Sequence, residues 1–140
     1  MNNKVHWSFW LIGIFALLWN GLGSLNFILQ MNAEMVASFP DTHKAIINTR
    51  PIWATGGFGL AVFGGTLGAI LLLLRKATAI YLFIASLAGA AITIIHTITV
   101  ANSSANFSTS EIVVMIALPV IVGAFFVWYT WQAKNKNWVS

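Results

Sequence analysis

IWATGGFGLAVFGGTLGAILLLL, residues 52–74, is followed by Arg75-Lys76 and then by ATAIYLFIASLAGAAITIIHTITV, residues 77–100. Neither stretch contains an Asp, Glu, Lys or Arg. Each exceeds the roughly 20 apolar residues that a helix needs to cross about 30 Å of hydrocarbon. A bilayer offers no water to backbone N–H and C=O groups, so uncharged runs of this length satisfy them internally as helices. Two basic residues between two such runs leave room only for a tight turn. The pair is a helical hairpin through a membrane.

Outward from this hairpin the pattern repeats. Trp7–Leu29 and Ile112–Trp131 are also free of charge. The spans fall at about 7–29, 52–74, 77–100 and 112–131, within a single membrane domain covering 1–140. The predicted fold is all-α: an integral membrane four-helix bundle. Composition agrees, with 59% hydrophobic and 7% charged residues, against about a quarter charged in soluble domains. The net charge of +4 is scattered, with no basic stripe to follow a phosphate backbone, so no nucleic-acid partner is expected. Lys4 before an apolar run resembles the start of a signal peptide. The run to Leu29 is too long for one, and it reads as the first span.

Orientation follows from Lys and Arg placement. One set of flanks carries Lys4, Arg75, Lys76, Lys134 and Lys136, and the other carries only Lys44 and Arg50 with the acids Glu34, Asp41 and Glu111. The more basic side is expected in the cytoplasm, giving N-in and C-in. Trp7, Trp10, Trp128, Tyr129 and Trp131 would form an aromatic belt on that side. The expected location is the inner (plasma) membrane, multi-pass, with lipid as the first partner. Outside lies a long segment from Gln30 to Pro51, in which Asp41 is placed to cap a short interfacial helix through Asn48. It reads as a lid or as an interfacial support. Pro51 suits the first turn of the second span, and Ser108-Thr109-Ser110-Glu111 reads as a capping box opening the fourth.

Helical periodicity separates the faces. Leu11, Phe15, Leu18, Leu22, Leu25 and Leu29 share the lipid side of the first span, and Gly13, Ala16, Asn20, Gly23 and Ser24 the inner side. Ala54, Gly57, Ala61, Gly64 and Gly68 line the second span, with GxxxG spacing. Small residues allow close backbone approach, so Gly57, Ala61, Gly64 and Gly68 are predicted to form the closest helix contact. Ala85, Gly89, Thr93 and His96 share one face of the third span, with Ile80, Ile84, Leu87 and Ile98 behind. Pro119, near Gly123, is predicted to kink the fourth by leaving a carbonyl unpaired. Asn20 near mid-span would bond across an interface or contact a solute, since an unpaired amide there is costly.

His96 is the only ionisable side chain within these spans, and such groups often mark sites. It is predicted to face an outer ligand pocket with Gln30, Trp53, Asn26 and Glu111. The alternative is a neutral imidazole holding helices together in a closed interface. No enzyme chemistry is indicated. His6, His43 and His96 lie at different depths and make no metal site, no paired carboxylates share a span, and no cofactor motif occurs. Asn102-Ser103-Ser104 and Asn106-Phe107-Ser108 match the glycosylation pattern, to which no function is attached.

Trp19-Asn20, Gln30, Pro51-Ile52-Trp53-Ala54, Val62-Phe63-Gly64-Gly65-Thr66-Leu67-Gly68, Arg75-Lys76, Ser86-Leu87 and Trp138-Val139-Ser140 together carry a likeness over nearly the whole chain. It resembles a group of short bacterial four-span membrane proteins labelled as sugar transporters. The resemblance implies transport. With the outer polar cluster it points to passive small-solute movement or lipid-like ligand handling by a homo-oligomer. The alternative is a non-transporting subunit of a larger membrane complex. Ion coupling is not expected, because no carboxylate lies inside a span.

Overall fold

The computed structural model describes residues 5–103 and 107–140. Lys4, Ser104 and Asn106 lie outside them. The described residues form helices α1 (Trp7–Leu29), α2 (Ala33–Ala37), α3 (Asp41–Thr49), α4 (Ile52–Leu73), α5 (Ala79–Ser103), α6 (Thr109–Ile112) and α7 (Leu118–Asn135), and a π-helical turn (Val113–Ala117) joins α6 to α7. No strand occurs among them. Four helical segments are long and apolar enough to cross a membrane: α1, α4, α5 to Asn102, and Thr109–Asn135. The protein is a multi-pass, all-α membrane protein built as a four-helix bundle.

The spans pack in chain order, α1 on α4, α4 on α5 and α5 on α7, and the α4–α5 pairing is the most extensive. Small residues explain it. A Cβ built on Gly57 would lie 2.8 Å from the Gly89 carbonyl oxygen, and one on Gly89 would lie 2.5 Å from the Gly57 oxygen and 2.8 Å from the Ala61 nitrogen. Hydrogen is the only substituent that lets these backbones meet. Gly64, expected in the same contact, departs from it: its Cβ would sit at an ordinary 3.7 Å or more from any neighbour. Its neighbour Gly65 is the constrained position, because the Asn20 amide lies directly on it. Gly68 packs on the Phe83 ring, 3.1 Å from where its Cβ would stand.

In α1 the predicted faces hold apart from Leu29 and Gly23, which are both partly buried. Leu11, Phe15, Leu18, Leu22 and Leu25 are exposed, and Gly13, Ala16, Asn20 and Ser24 are buried. Ser24 Oγ donates to the Val62 carbonyl at 3.1 Å and lies 3.0 Å from Thr66 Oγ1, fastening α1 to α4. In α5, Ile80 is buried rather than on the lipid side. Helix α5 is sandwiched between α4 and α7, so two of its faces are interior.

Local signals set the ends. The Ser108–Glu111 capping box forms, with Glu111 N donating to Ser108 Oγ at 3.1 Å and Ser108 N to Glu111 Oε1 at 3.3 Å. Pro119 cannot donate to the carbonyl four residues back. The helix accommodates this by widening into the π turn, where Leu118 N donates to the Val113 oxygen. The segment between α1 and α4 folds into two short helices rather than one. Asn32 caps α2 by accepting from Glu34 N and Met35 N. Asp41 is not the cap of α3, a position held by Pro40; it lies in the first turn, 3.7 Å from Lys44 Nζ.

At the opposite end of the bundle, α4 closes with Arg75 in the left-handed conformation (φ 61°), and Lys76 N donates to the Leu71 oxygen. Helix α7 closes in the same way through Asn137 (φ 59°), with Trp138 N donating to the Ala133 oxygen. The two turns are bonded to each other: Ser140 N donates to Arg75 O, Ala77 N to Ser140 O, and Arg75 Nε to Trp138 O at 2.8 Å. Val139, 2% exposed, joins the core of Phe9, Ala16, Ala69, Leu72, Phe83 and Phe126. Trp7, Trp10, Trp128 and Trp131 are exposed around this end, the distribution of an interfacial aromatic belt, whereas Tyr129, expected in it, is partly buried against Phe9.

Candidate functional site

Helices α1 and α7 flank the row of spans without the close backbone approach seen between its neighbours. They meet through aromatic rings toward the terminal end, Phe9 with Tyr129 (6.4 Å between centroids) and Phe15 with Phe126 (5.9 Å). Beyond Phe126 they enclose a cavity of about 520 Å³, bounded by α1, α3, α4, α5, the π turn and α7. A volume of this size is typical of small-molecule sites. Its floor is the Phe83–Phe126 ring pair, 5.4 Å apart. Its exposed lining residues, Leu22 and Asn26 on α1 and Val114 on the π turn, mark the opening at the lipid-facing seam between α1 and α7.

The walls are mostly apolar, and the polar groups fall into two sets. Within the spans three polar side chains bond to the backbone, while Asn26 and Thr93, which also line the cavity, make no side-chain hydrogen bond among the described residues. Asn20 Nδ2 donates to the Ala16 carbonyl at 2.9 Å, Ser86 Oγ donates to the Ala61 carbonyl, and Thr97 Oγ1 to the Thr93 carbonyl at 3.3 Å. At the α3 end the polar atoms are not all satisfied. Gln30 Oε1 and His43 Nδ1 are buried without a hydrogen-bond partner. Arg50 Nε donates to Thr55 Oγ1 at 3.3 Å, and its guanidinium lies 5.1 Å over the Phe58 ring. Burial pulls the Arg50 guanidinium below its ordinary value, yet an arginine stays charged. Of the Asp, Glu, Lys and Arg side chains described, Arg50 alone lines the cavity.

Helix α3 and its C-cap residue Arg50 present this set, with His43, Ile46 and Arg50 at three- and four-residue spacing. The helix is held over the bundle by buried Ile46 and by Thr42 Oγ1, which donates to Glu111 Oε2.

The five residues predicted to share an outer pocket separate. Gln30 and Asn26 line the cavity, whereas His96, Trp53 and Glu111 do not. His96 is buried, with Nε2 3.4 Å from Thr49 Oγ1 and its ring edge-on to Trp53 at 6.4 Å between centroids. It lies at the α3–α4 junction with its Nδ1 buried and without a hydrogen-bond partner. The correction has a simple cause: the adjacent Thr93 and Thr97 take the cavity-facing side of α5, and His96 is turned roughly 100° from Thr97. Trp53 is half exposed beside it, and Glu111 is engaged by Thr42 and by its own capping box. Sequence reasoning missed His43 and Arg50 as site residues. Their seven-residue separation across a short amphipathic helix and its C-cap is the available signal. No group of three His, Cys, Asp or Glu suited to a metal ion occurs among the described residues.

Comparison of the chain with family models, with curated proteins and with solved structures finds no match in any of the three. The fold and cavity therefore define the protein at the level of class: a small four-span membrane protein with a polar-ended cavity inside the bundle.

Proposed function

We propose that the protein binds a lipid-like amphiphile in this cavity, admitting its chain from the membrane between α1 and α7. The observation that carries the proposal is the arrangement of the lining: mostly apolar walls open toward lipid, closed below by Phe83 and Phe126, with the charged Arg50 and the buried unpaired atoms of Gln30 and His43 at the α3 end. Passive passage of a polar solute through one copy gains less support. Below the floor lie Phe9, Ala16, Ala69, Leu72 and Ala133, tightly packed. The binding role requires no second copy, no cofactor and no ion gradient. In the proposed orientation both termini are cytoplasmic, from the Lys and Arg asymmetry, and α3 covers the cavity from the outer side of the inner membrane.

Equilibrium binding of a fluorescent sixteen-carbon amphiphile to the purified protein tests this. The parent should bind it, and Ala90→Phe, which fills the cavity, should not, while retaining helicity and melting cooperatively. A parent that takes up no more probe than empty micelles, or a folded Ala90→Phe that binds like the parent, overturns the proposal. Uptake of small sugars into vesicles by the parent would instead support passive transport.

A further inference from the structure

We infer that the occupant is an anionic, single-chain amphiphile whose carboxylate or phosphate head group is held by Arg50, beside Gln30 and His43, with its chain running between α1 and α7 toward Phe126. The inference deepens the binding role proposed above and rests on it.

Arg50 supplies the first argument. It is half-buried at the end of α3 and has no carboxylate within ion-pair distance among the described residues. None of the three acids, Glu34, Asp41 or Glu111, forms an ion pair with Arg50. Asp41 pairs with Lys44, Glu111 accepts from Thr42, and neither lines the cavity. A guanidinium withdrawn from water without a counter-charge is costly, and a protein that keeps one beside an apolar cavity has a use for an anion there. Its posture agrees. The Nε edge is fixed by Thr55 and the plane rests over Phe58, while the two terminal amino groups make no hydrogen bond among the described residues. That free edge is the fork that matches a carboxylate or a phosphate.

Gln30 and His43 supply the second. Each has a buried polar atom with no protein partner, and both line the cavity at the same end as Arg50. Four buried side-chain atoms lack a partner among the described residues; His96 Nδ1 and Tyr129 OH lie off the cavity, and the two that line it fall together at one end, where a ligand's polar part would belong. An amide turned end for end and an Nδ1–H imidazole tautomer are both donors, which suits an anionic head group.

The third argument is the remainder of the lining. Below these residues Asn20, Ser86 and Thr97 spend a donor each on a backbone carbonyl, and Phe58, Val62, Leu87 and Ile94 face the space. About 520 Å³ suits one chain rather than two.

Competition against the fluorescent amphiphile at mildly alkaline pH, with palmitate, hexadecyl phosphate and hexadecanol, provides the test, since the three share one chain length and differ in the head. Both anions should compete better than the alcohol. Arg50→Gln should weaken them on the order of tenfold, as expected for a hydrogen bond between charged groups, and leave hexadecanol unchanged. Arg50→Lys should retain part of the preference. The stronger anion of the two identifies the head group, and inorganic phosphate alone should not compete. Equal competition by all three compounds in the parent overturns the inference while leaving amphiphile binding intact. So does an equal loss for all three in Arg50→Gln, which would make Arg50 a structural residue. Competition by inorganic phosphate as strong as by hexadecyl phosphate would make the site a phosphate site without a chain. Failure of hexadecanol and both anions alike would remove the underlying binding role.

Discussion

Replacing Gly57 or Gly89 with alanine adds one methyl group at the tightest point between α4 and α5. At Gly57 the new carbon would stand 2.8 Å from the Gly89 oxygen and 2.9 Å from Ile92 Cγ2; at Gly89 it would stand 2.5 Å from the Gly57 oxygen. The obstacle is backbone on both sides, so no rotamer change relieves it and the helices must separate. Overpacking of this kind costs about 1–3 kcal/mol, and contact with backbone places both variants toward the upper part of that range. Against it stands the better helix propensity of alanine, worth up to about 1 kcal/mol. The net expectation is a loss of about 2 kcal/mol for each variant. Gly56 and Gly21 are the controls, because a Cβ at either meets nothing within 4 Å. Gly56→Ala and Gly21→Ala should gain up to about 1 kcal/mol. Gly57→Ala with Gly89→Ala should cost less than the sum of the singles, since one displacement of the helices relieves both contacts. Denaturant titration in mixed micelles, followed by helicity, measures all five variants. If Gly57→Ala and Gly89→Ala are as stable as Gly56→Ala, the close contact assigned to α4 and α5 is wrong.

Three further outcomes are expected. Gly65→Ala should drive the Asn20 amide from its place and break its 2.9 Å bond to Ala16, at a cost of about 1–3 kcal/mol; adding Asn20→Ala should recover most of this in the same titration. Val139→Ala removes two buried carbons from the docked tail and should lower stability by about 1.6 kcal/mol at about 0.8 each, whereas Ser140→Ala, which keeps both backbone bonds to Arg75 and Ala77, should match the parent. A cysteine replacing Ser140 should react with an impermeant thiol reagent only after the cells are opened, and labelling in intact cells would reverse the proposed orientation.

The fold was legible because the membrane sets a single strong requirement. An uncharged run of sufficient length has one way to satisfy its backbone, so Ile52–Leu74 and Ala77–Val100 announce a hairpin without any knowledge of side-chain packing. Cap chemistry is local, and the Ser108–Glu111 box formed as spelled. Pairing between helices is not local. GxxxG spacing marks a face of α4 but does not say whether Gly64 or Gly65 meets a neighbour, and that depends on where Asn20 of α1 arrives. His96 fails for the same reason: periodicity gives a direction on the helix, while α5 has interior on two sides. The sequence places Arg50 at the outer interface but does not reveal that α3 folds back over the bundle and brings it to the cavity. Trp138-Val139-Ser140 is too short to carry a hydropathy signal, although Val139 is fully packed.

The cavity itself follows from a contrast within the sequence. Helices α1 and α4 meet where Gly13 receives Leu73 and Gly23 receives Val62; helices α4 and α5 meet at Gly57 and Gly89. Each of these interfaces is drawn close by a missing side chain. Helix α7 has one glycine, Gly123, which receives Leu87 of α5, and it has none toward α1. There the contact is made by Phe126 and Tyr129 against Phe15 and Phe9, rings that hold the helices apart as they touch. One turn beyond Gly123, Pro119 removes an N–H and the helix widens into the π turn, so the rest of the segment does not return to α1. Two glycine-rich joints and one aromatic joint, on helices of similar length, give a row that is closed along α1, α4 and α5 and open at the seam with α7. A small residue in place of these rings would let α7 approach α1 as closely as α4 does, whereas the aromatic contact holds the seam open.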